Sequence, residues 1–307
     1  MPPGKGLLMR RFGRWLRANA EGFLALSIAI VFGLLGVLDV LGSNNNVVNG
    51  AILLTLALLA VTLLRDRASV EKALLNVSAV LTVSGPEVGQ AQAEARRNTD
   101  RWIFKGGTGG SLRTVTLPKC VEIARQERRP LRVQLEIIDP TDEDLCEEYA
   151  RFRSSLSAGA GRGKEEWTRE RVRLESYATI FAACWHRQRF TFLTVEIGLS
   201  RVMSTFRWDL SSSCVILSQE DPSGASLIFE NGRPYYRACN RELVASFNQA
   251  RRVHVDRADA YQLGEEPTTE DARKLFALLQ LDLPSTFGER DLTAMIFKAT
   301  REKDALG

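Results

Sequence analysis

Residues 101–140 read RWIFKGGTGGSLRTVTLPKCVEIARQERRPLRVQLEIIDP, and this stretch decides the fold. RWIFK (101–105) is a short apolar run held between charges, which reads as a strand. A loop follows, Gly106-Gly107-Thr108-Gly109-Gly110, and a helix opens near Leu117-Pro118, where a first-turn proline has no hydrogen bond to lose. LRVQLEII (131–138) is a second strand, closed by the turn signal Asp139-Pro140. Residues 141–154 read as a helix with Thr141 as its N-cap, acids in the first turn and arginines in the last. Strand, helix, strand, helix in this order predicts an α/β domain with parallel strands.

The pattern extends towards the C-terminus. SLSAGAGRGK (155–164) is a flexible loop, and residues 165–188 form a long helix. FTFLTVEIG (190–198) is a strand, and strands at 204–210 and 213–218 turn about Ser211-Ser212-Ser213. A strand at 225–230 and a helix at 238–253 complete an α/β domain over residues 100–256, a mixed sheet flanked by helices. Helices at 269–281 and 289–303 form a C-terminal helical tail, 257–307.

Towards the N-terminus the composition changes. Residues 22–64 hold one charged side chain, Asp39. FLALSIAIVFGLLGVLDVL (23–41) is about long enough to cross a hydrocarbon core of ~30 Å, and a second apolar run, 47–64, follows the polar turn 42–46 (GSNNN). So short a turn predicts a two-span transmembrane hairpin over residues 21–66. Lys5, Arg10, Arg11, Arg14 and Arg17 precede it and Arg65 and Arg67 follow it, which by the positive-inside rule predicts an inner-membrane protein with both termini cytoplasmic. Residues 1–20 are a basic arm, read either as an interfacial amphipathic helix or as a basic flank. Asp39 either faces a pore, which needs several copies of the chain, or reaches interfacial water. Val70, Leu74, Val77 and Leu81 recur at helical spacing, so residues 67–99 read as a stalk helix and linker, broken at Ser84-Gly85-Pro86.

The net charge of +4 has no concentrated basic face behind it, and no duplex DNA partner is expected. Five scattered cysteines and two histidines argue against a zinc site or a disulfide framework, and no cofactor is implied. His186 and His254 have no Ser, Cys or acid partner in a motif, and no carboxylate pair stands out, so no catalytic residue is assigned.

The glycine loop is the most informative local feature. Glycines bring backbone N–H groups close to a phosphate, and Arg113, three residues on, is placed to add a bidentate grip. Gly106, Gly107, Thr108, Gly109, Gly110 and Arg113 are therefore candidate phosphate ligands, although neither GxxxxGK[ST] nor GxGxxG is matched and a plain β-to-α turn has the same composition. Asp139 lies at the carboxyl end of a parallel strand, where ligands bind in open α/β sheets, and it equally suits the capping of a turn. Arg207 and Asp209, in FRWDL, share one strand face: the pair either reads a phosphate or is a structural ion pair.

The order of these elements, with WIFKGGTGGSLRTVTLP, VQLEIIDP, the long helix before FTFLTVEIG and then FRWDLSSSCVIL, resembles the phospholipase-D-like fold across roughly residues 102–253. Active members of that family carry H-x-K-x4-D. Here Arg207 and Asp209 stand where the His and Lys would fall, so the resemblance implies a retained phosphate cleft without the family's phosphohistidine chemistry. A two-span hairpin joined to a cytoplasmic sensor also resembles the membrane effectors of bacterial nucleotide-signalling defence, including cyclic-oligonucleotide and Hailong-type systems. The resulting expectation is a nucleotide-gated, homo-oligomeric membrane effector or channel of antiphage defence. Its ligand is a phosphate-bearing small molecule or oligonucleotide. A membrane-tethered phosphodiesterase or nuclease and a non-catalytic scaffold are the alternatives.

Overall fold

The computed structural model describes residues 80–157, 166–220 and 224–300, with eight helical positions between residues 52 and 67. The chain divides into two compact units, Met1–Ser78 and Ala79–Gly307, and the second carries the sheet. In chain order its elements are β1 (Leu81–Val83), α1 (Pro86–Arg97) and β2 (Arg101–Lys105), then a π-helical turn (Leu112–Thr116) running into α2 (Leu117–Gln126). Next come β3 (Leu131–Ile138), α3 (Glu143–Ser157), α4 (Arg169–Arg189), β4 (Leu193–Ser200), β5 (Phe206–Leu210), β6 (Cys214–Gln219) and β7 (Ser226–Glu230). The chain then forms α5 (Pro234–Gln249), β8 (Arg251–Val253), a 3-10 turn (Val255–Ala260), α6 (Thr269–Leu278) and α7 (Glu289–Thr300).

The strands form one eight-stranded mixed sheet in the order β1-β7-β6-β5-β2-β3-β4-β8. β2, β3 and β4 are parallel, as helical crossovers require. β5 joins β2 antiparallel, and β6, β7 and β1 continue outward by antiparallel pairing; β8 closes the other edge against β4. Strand side chains alternate between the faces. Trp102, Phe104, Val133, Leu135, Ile137, Val195, Ile197 and Leu199 point into the larger core, with α2 and α4. Ile103, Leu210, Val215 and Phe229 point the other way, towards Tyr236 and Leu243 of α5. The middle of α4, Ser176–Cys184 (SYATIFAAC), is buried throughout, because it packs against the sheet and against other helices at once. The tail belongs to the same core: Ala272, Leu275 and Phe276 of α6 and Leu292, Met295 and Ala299 of α7 join it, and Tyr177 meets Phe276 edge-on at 5.1 Å.

The transmembrane hairpin is corrected. Spanning needs ~20 consecutive apolar residues, and among the described residues no helix is long and apolar enough to cross a membrane. The longest of them, α4, is interrupted by arginines and glutamates. Residues 23–41, with Asp39, lie outside the described residues, as does most of 47–64. The hairpin, the inner-membrane location with cytoplasmic termini, and the channel built on them are not supported. Of the stalk helix, residues 68–79 lie outside the described residues, and Leu81 begins strand β1 instead.

Smaller differences have local causes. Thr141 is not the cap of α3: Asp142 Oδ1 accepts from the Leu145 N–H at 3.1 Å, one residue further along. α4 starts at Arg169, where the Thr168 side chain accepts from the Arg171 N–H. The helix expected over 238–253 is displaced to Pro234–Gln249, with Pro234 in its first turn, and the following Arg251–Val253 is an edge strand.

Candidate functional site

The chain leaves β2 at Lys105 and enters the glycine loop at the carboxyl edge of the parallel strands. Main-chain bonds from Gly106 N–H to Glu136 O (3.1 Å) and from Ile138 N–H to Gly107 O (3.0 Å) carry the β2–β3 pairing on into the loop. Two glycines are obligatory there. A Cβ on Gly107 would stand 1.9 Å from Tyr149 Oη, and Gly109 sits at φ +75° against Thr179 and Ile137. Thr179 Oγ1 donates to Thr108 O at 2.8 Å and anchors the loop to α4. The helical conformation begins at Gly110, with Arg113 N–H donating to Gly109 O at 2.9 Å, so the loop delivers the amide donors of a helix's first turn, which have no intrahelical acceptor.

The loop and this first turn border a cleft of about 590 Å³. Its wall is assembled from Thr108, Gly109, Gly110 and Ser111 of the loop, Tyr149 and Arg153 of α3, Trp167, Arg171 and Glu175 of α4 and its approach, Arg207 of β5, Glu220 beyond β6, and Lys298 of α7. Besides Arg113, four cationic side chains line it together with two acidic ones, an excess that favours an anion. Trp167 is bracketed by charge: the guanidinium carbons of Arg153 and Arg171 each lie 4.5 Å from its ring centroid.

The residues expected from sequence separate into three groups. Thr108, Gly109, Gly110, Arg113 and Arg207 line the cleft together; Gly106 and Gly107 form its support, packed on Phe104 and Tyr149. Arg113 is placed where expected, and its guanidinium is turned inward. It is 5% exposed, donates from Nη1 to Glu175 O (2.9 Å) and Thr179 Oγ1 (3.3 Å), and pairs through Nη2 with Glu175 Oε2 at 2.5 Å. Lys298 holds the other Glu175 oxygen at 2.9 Å. Burial pushes the Glu175 carboxyl up, but Arg113 and Lys298 outweigh it and hold it below the ordinary carboxylate range. Arg113 therefore braces the loop rather than gripping a ligand.

Arg207 and Asp209 form the ion pair that the strand spacing allowed, Nε to Oδ2 at 2.7 Å. Trp102 Nε1 donates to the other Asp209 oxygen at 3.2 Å, and Arg207 Nη1 donates to Ser111 Oγ at 2.9 Å. Asp209 is thus buried behind Arg207 and aims it at the start of the helix. Asp139 is elsewhere. Arg251 donates to both its oxygens (3.0 and 2.8 Å), and Thr141 donates through its N–H and its hydroxyl. Burial pushes the Asp139 carboxyl up, and Arg251 and Thr141 more than reverse this, leaving it lowered. Of its two readings the turn-forming one describes the contacts: a bidentate arginine and two turn donors occupy its oxygens.

Arg153, Trp167, Arg171, Glu175, Glu220 and Lys298 carry no sequence motif. They come from separate helices and a strand end, and charged residues at such spacings elsewhere in the chain are ordinary surface.

No protein-family model matches the chain, and no curated protein matches it. Among solved structures, it is similar to that of TrmBL2, described as an archaeal chromatin protein showing a novel mode of DNA binding. The identity is 8% and the TM-score 0.32, over 69% of this chain and 72% of that one. A likeness that slight carries no argument about fold or function.

Proposed function

We propose that Ala79–Gly307 is a sensor domain that binds a phosphate-bearing ligand, a nucleotide, in the cleft beside the glycine loop. One observation carries the reading: a first helical turn and four cationic side chains besides the inward-turned Arg113 line one cleft that holds two acids. Phosphate groups are favoured at such a helix start, and the volume lies within the ~300–1,000 Å³ of small-molecule pockets. The phospholipase-D-like resemblance agrees with a phosphate cleft at this edge of the sheet. The membrane-effector part of the sequence expectation rested on the hairpin and is not carried further.

Titration of the full chain with nucleoside mono- and diphosphates, read by calorimetry, tests this. Arg207→Ala, which removes a donor at the cleft wall and spares the Arg113–Glu175 brace, should weaken binding about tenfold, ~1.4 kcal/mol. Absence of binding by the unaltered chain, or equal binding by Arg207→Ala, would overturn the proposal.

A further inference from the structure

Glu220 stands out among the cleft residues. It lies just beyond the end of β6, and its carboxylate takes two donors from α3: Tyr149 Oη at 3.1 Å, and Arg153 through a direct ion pair. Arg153 is also the guanidinium stacked on Trp167. Tyr149 is fixed in turn, because its hydroxyl sits where Gly107 has no side chain, and burial together with the Glu220 charge raises its pKa, so it remains a donor. Glu175, the cleft's other acid, is different in kind. It is held from within by Arg113 and at the rim by Lys298, and its loss would unseat the loop. The groups that hold Glu220 are ones that a ligand phosphate would itself seek.

We propose, resting on the phosphate-binding reading above, that Glu220 is an internal competitor: its carboxylate occupies the phosphoryl position, and a ligand enters by displacing it from Arg153 and Tyr149. The ligand class is then a terminal phosphoryl dianion. It has one more oxygen and one more negative charge than the carboxylate it replaces, so a monoanionic diester or a sugar hydroxyl exchanges poorly. The same geometry couples binding to position: displacing Glu220 frees the end of β6 from α3, while Arg153 stays on Trp167. Because the open form is only a fraction of the unliganded protein, apparent affinity is reduced by that fraction.

The test uses the full chain, with inorganic pyrophosphate and with a nucleoside diphosphate as separate probes. In Glu220→Gln the charge is gone and the size is kept. Both probes should bind about tenfold tighter or more, the factor expected when about a tenth of the unaltered protein is open. A dinucleotide diester should bind more weakly than either. In Glu220→Asp, which keeps the charge on a shorter arm, the gain should be smaller. Arg153→Ala, introduced into the parent and into Glu220→Gln, should erase the difference between the two. Equal or weaker binding of both probes by Glu220→Gln overturns the competitor role and leaves the phosphate site standing. A loss for the nucleotide with no change for pyrophosphate makes Glu220 a ligand to the sugar, and also overturns it. Failure of every protein to bind either probe overturns the phosphate site itself. A single cooperative thermal transition in each of the two Glu220 variants, as in the parent, separates these results from misfolding.

Discussion

Replacement of Arg113 by methionine isolates the brace beneath the glycine loop. The apolar stem is kept, and the guanidinium with its bonds to Glu175 and Thr179 is lost. Breaking a buried ion pair from one side costs ~3–5 kcal/mol, because the remaining charge is left without its partner. Glu175 keeps Lys298, itself partly exposed at 38%, so the lower end, about 3 kcal/mol, applies. For a folding unit of roughly 150–250 residues each kcal/mol moves the midpoint by about 2–4 °C, which gives a fall of about 6–12 °C in thermal unfolding followed by circular dichroism. The pH dependence has a defined sign. Glu175 has a lowered folded-state pKa, so it adds stability above the ordinary carboxylate range and loses it as the pH falls through the folded value. Without Arg113 that folded value rises and the acid limb moves to higher pH. Arg113→Met with Glu175→Gln should recover about half of the loss, since no unpaired charge is then buried. A single variant within about 2 °C of the parent, or a double variant less stable than the single, would refute the reasoning.

Three further outcomes follow from neighbouring residues. Gly107→Ala drives a methyl group into Tyr149 and should cost about 1–3 kcal/mol in urea unfolding, with nucleotide affinity falling as the loop shifts; an unaltered midpoint would mean that Tyr149 yields freely. Asp139→Asn removes the charged bonds to Arg251 and should destabilise by about 2 kcal/mol while leaving the ligand affinity unchanged, which calorimetry beside the unfolding curve would establish. His186 is pushed down to about 4 by burial, then by Arg125 and Arg189. The unfolded chain takes up a proton near pH 6.5 and the folded one near 4, so stability is full above that window and declines as the pH falls through it. His186→Gln should flatten this limb by about 3 kcal/mol, and unfolding curves of both proteins at about pH 7, 5.5 and 4 would reveal an unchanged slope if histidine has no part in it.

The parallel half of the sheet was legible because each step had a local cause. RWIFK and LRVQLEII are apolar runs bounded by turn residues, and Pro118 marks an early helical turn. The last strand was not, because Arg251-Arg252-Val253 is three residues long, carries two charges and owes its pairing to β4, far away in sequence. The glycine loop was visible as a place, and the use of Arg113 was not. A sequence shows an arginine three residues after the loop; it does not show that Glu175 comes within 2.5 Å of it from another helix. The partner of Asp139 was hidden for the same reason, since Arg251 reaches it across more than a hundred residues.

The cleft owes its position to the sheet's change of direction. β2 is parallel to β3 on one side and antiparallel to β5 on the other, so the loop leaving β2 emerges where the parallel crossovers end and the antiparallel strands begin. On the parallel side the edge is covered by α3 and α4, which bring Arg153, Trp167 and Arg171. On the antiparallel side β5 presents Arg207, and the far end of β6 brings Glu220 back towards α3. Ligands collect at such switch points because neighbouring connections diverge and leave a crevice. In this chain the Arg153–Glu220 ion pair spans the crevice and ties α3 to the end of β6 through side chains alone. A ligand that takes Arg153 away from Glu220 acts on that join first, and this is why binding at the glycine loop is expected to be felt in the antiparallel strands while the parallel core stays fixed.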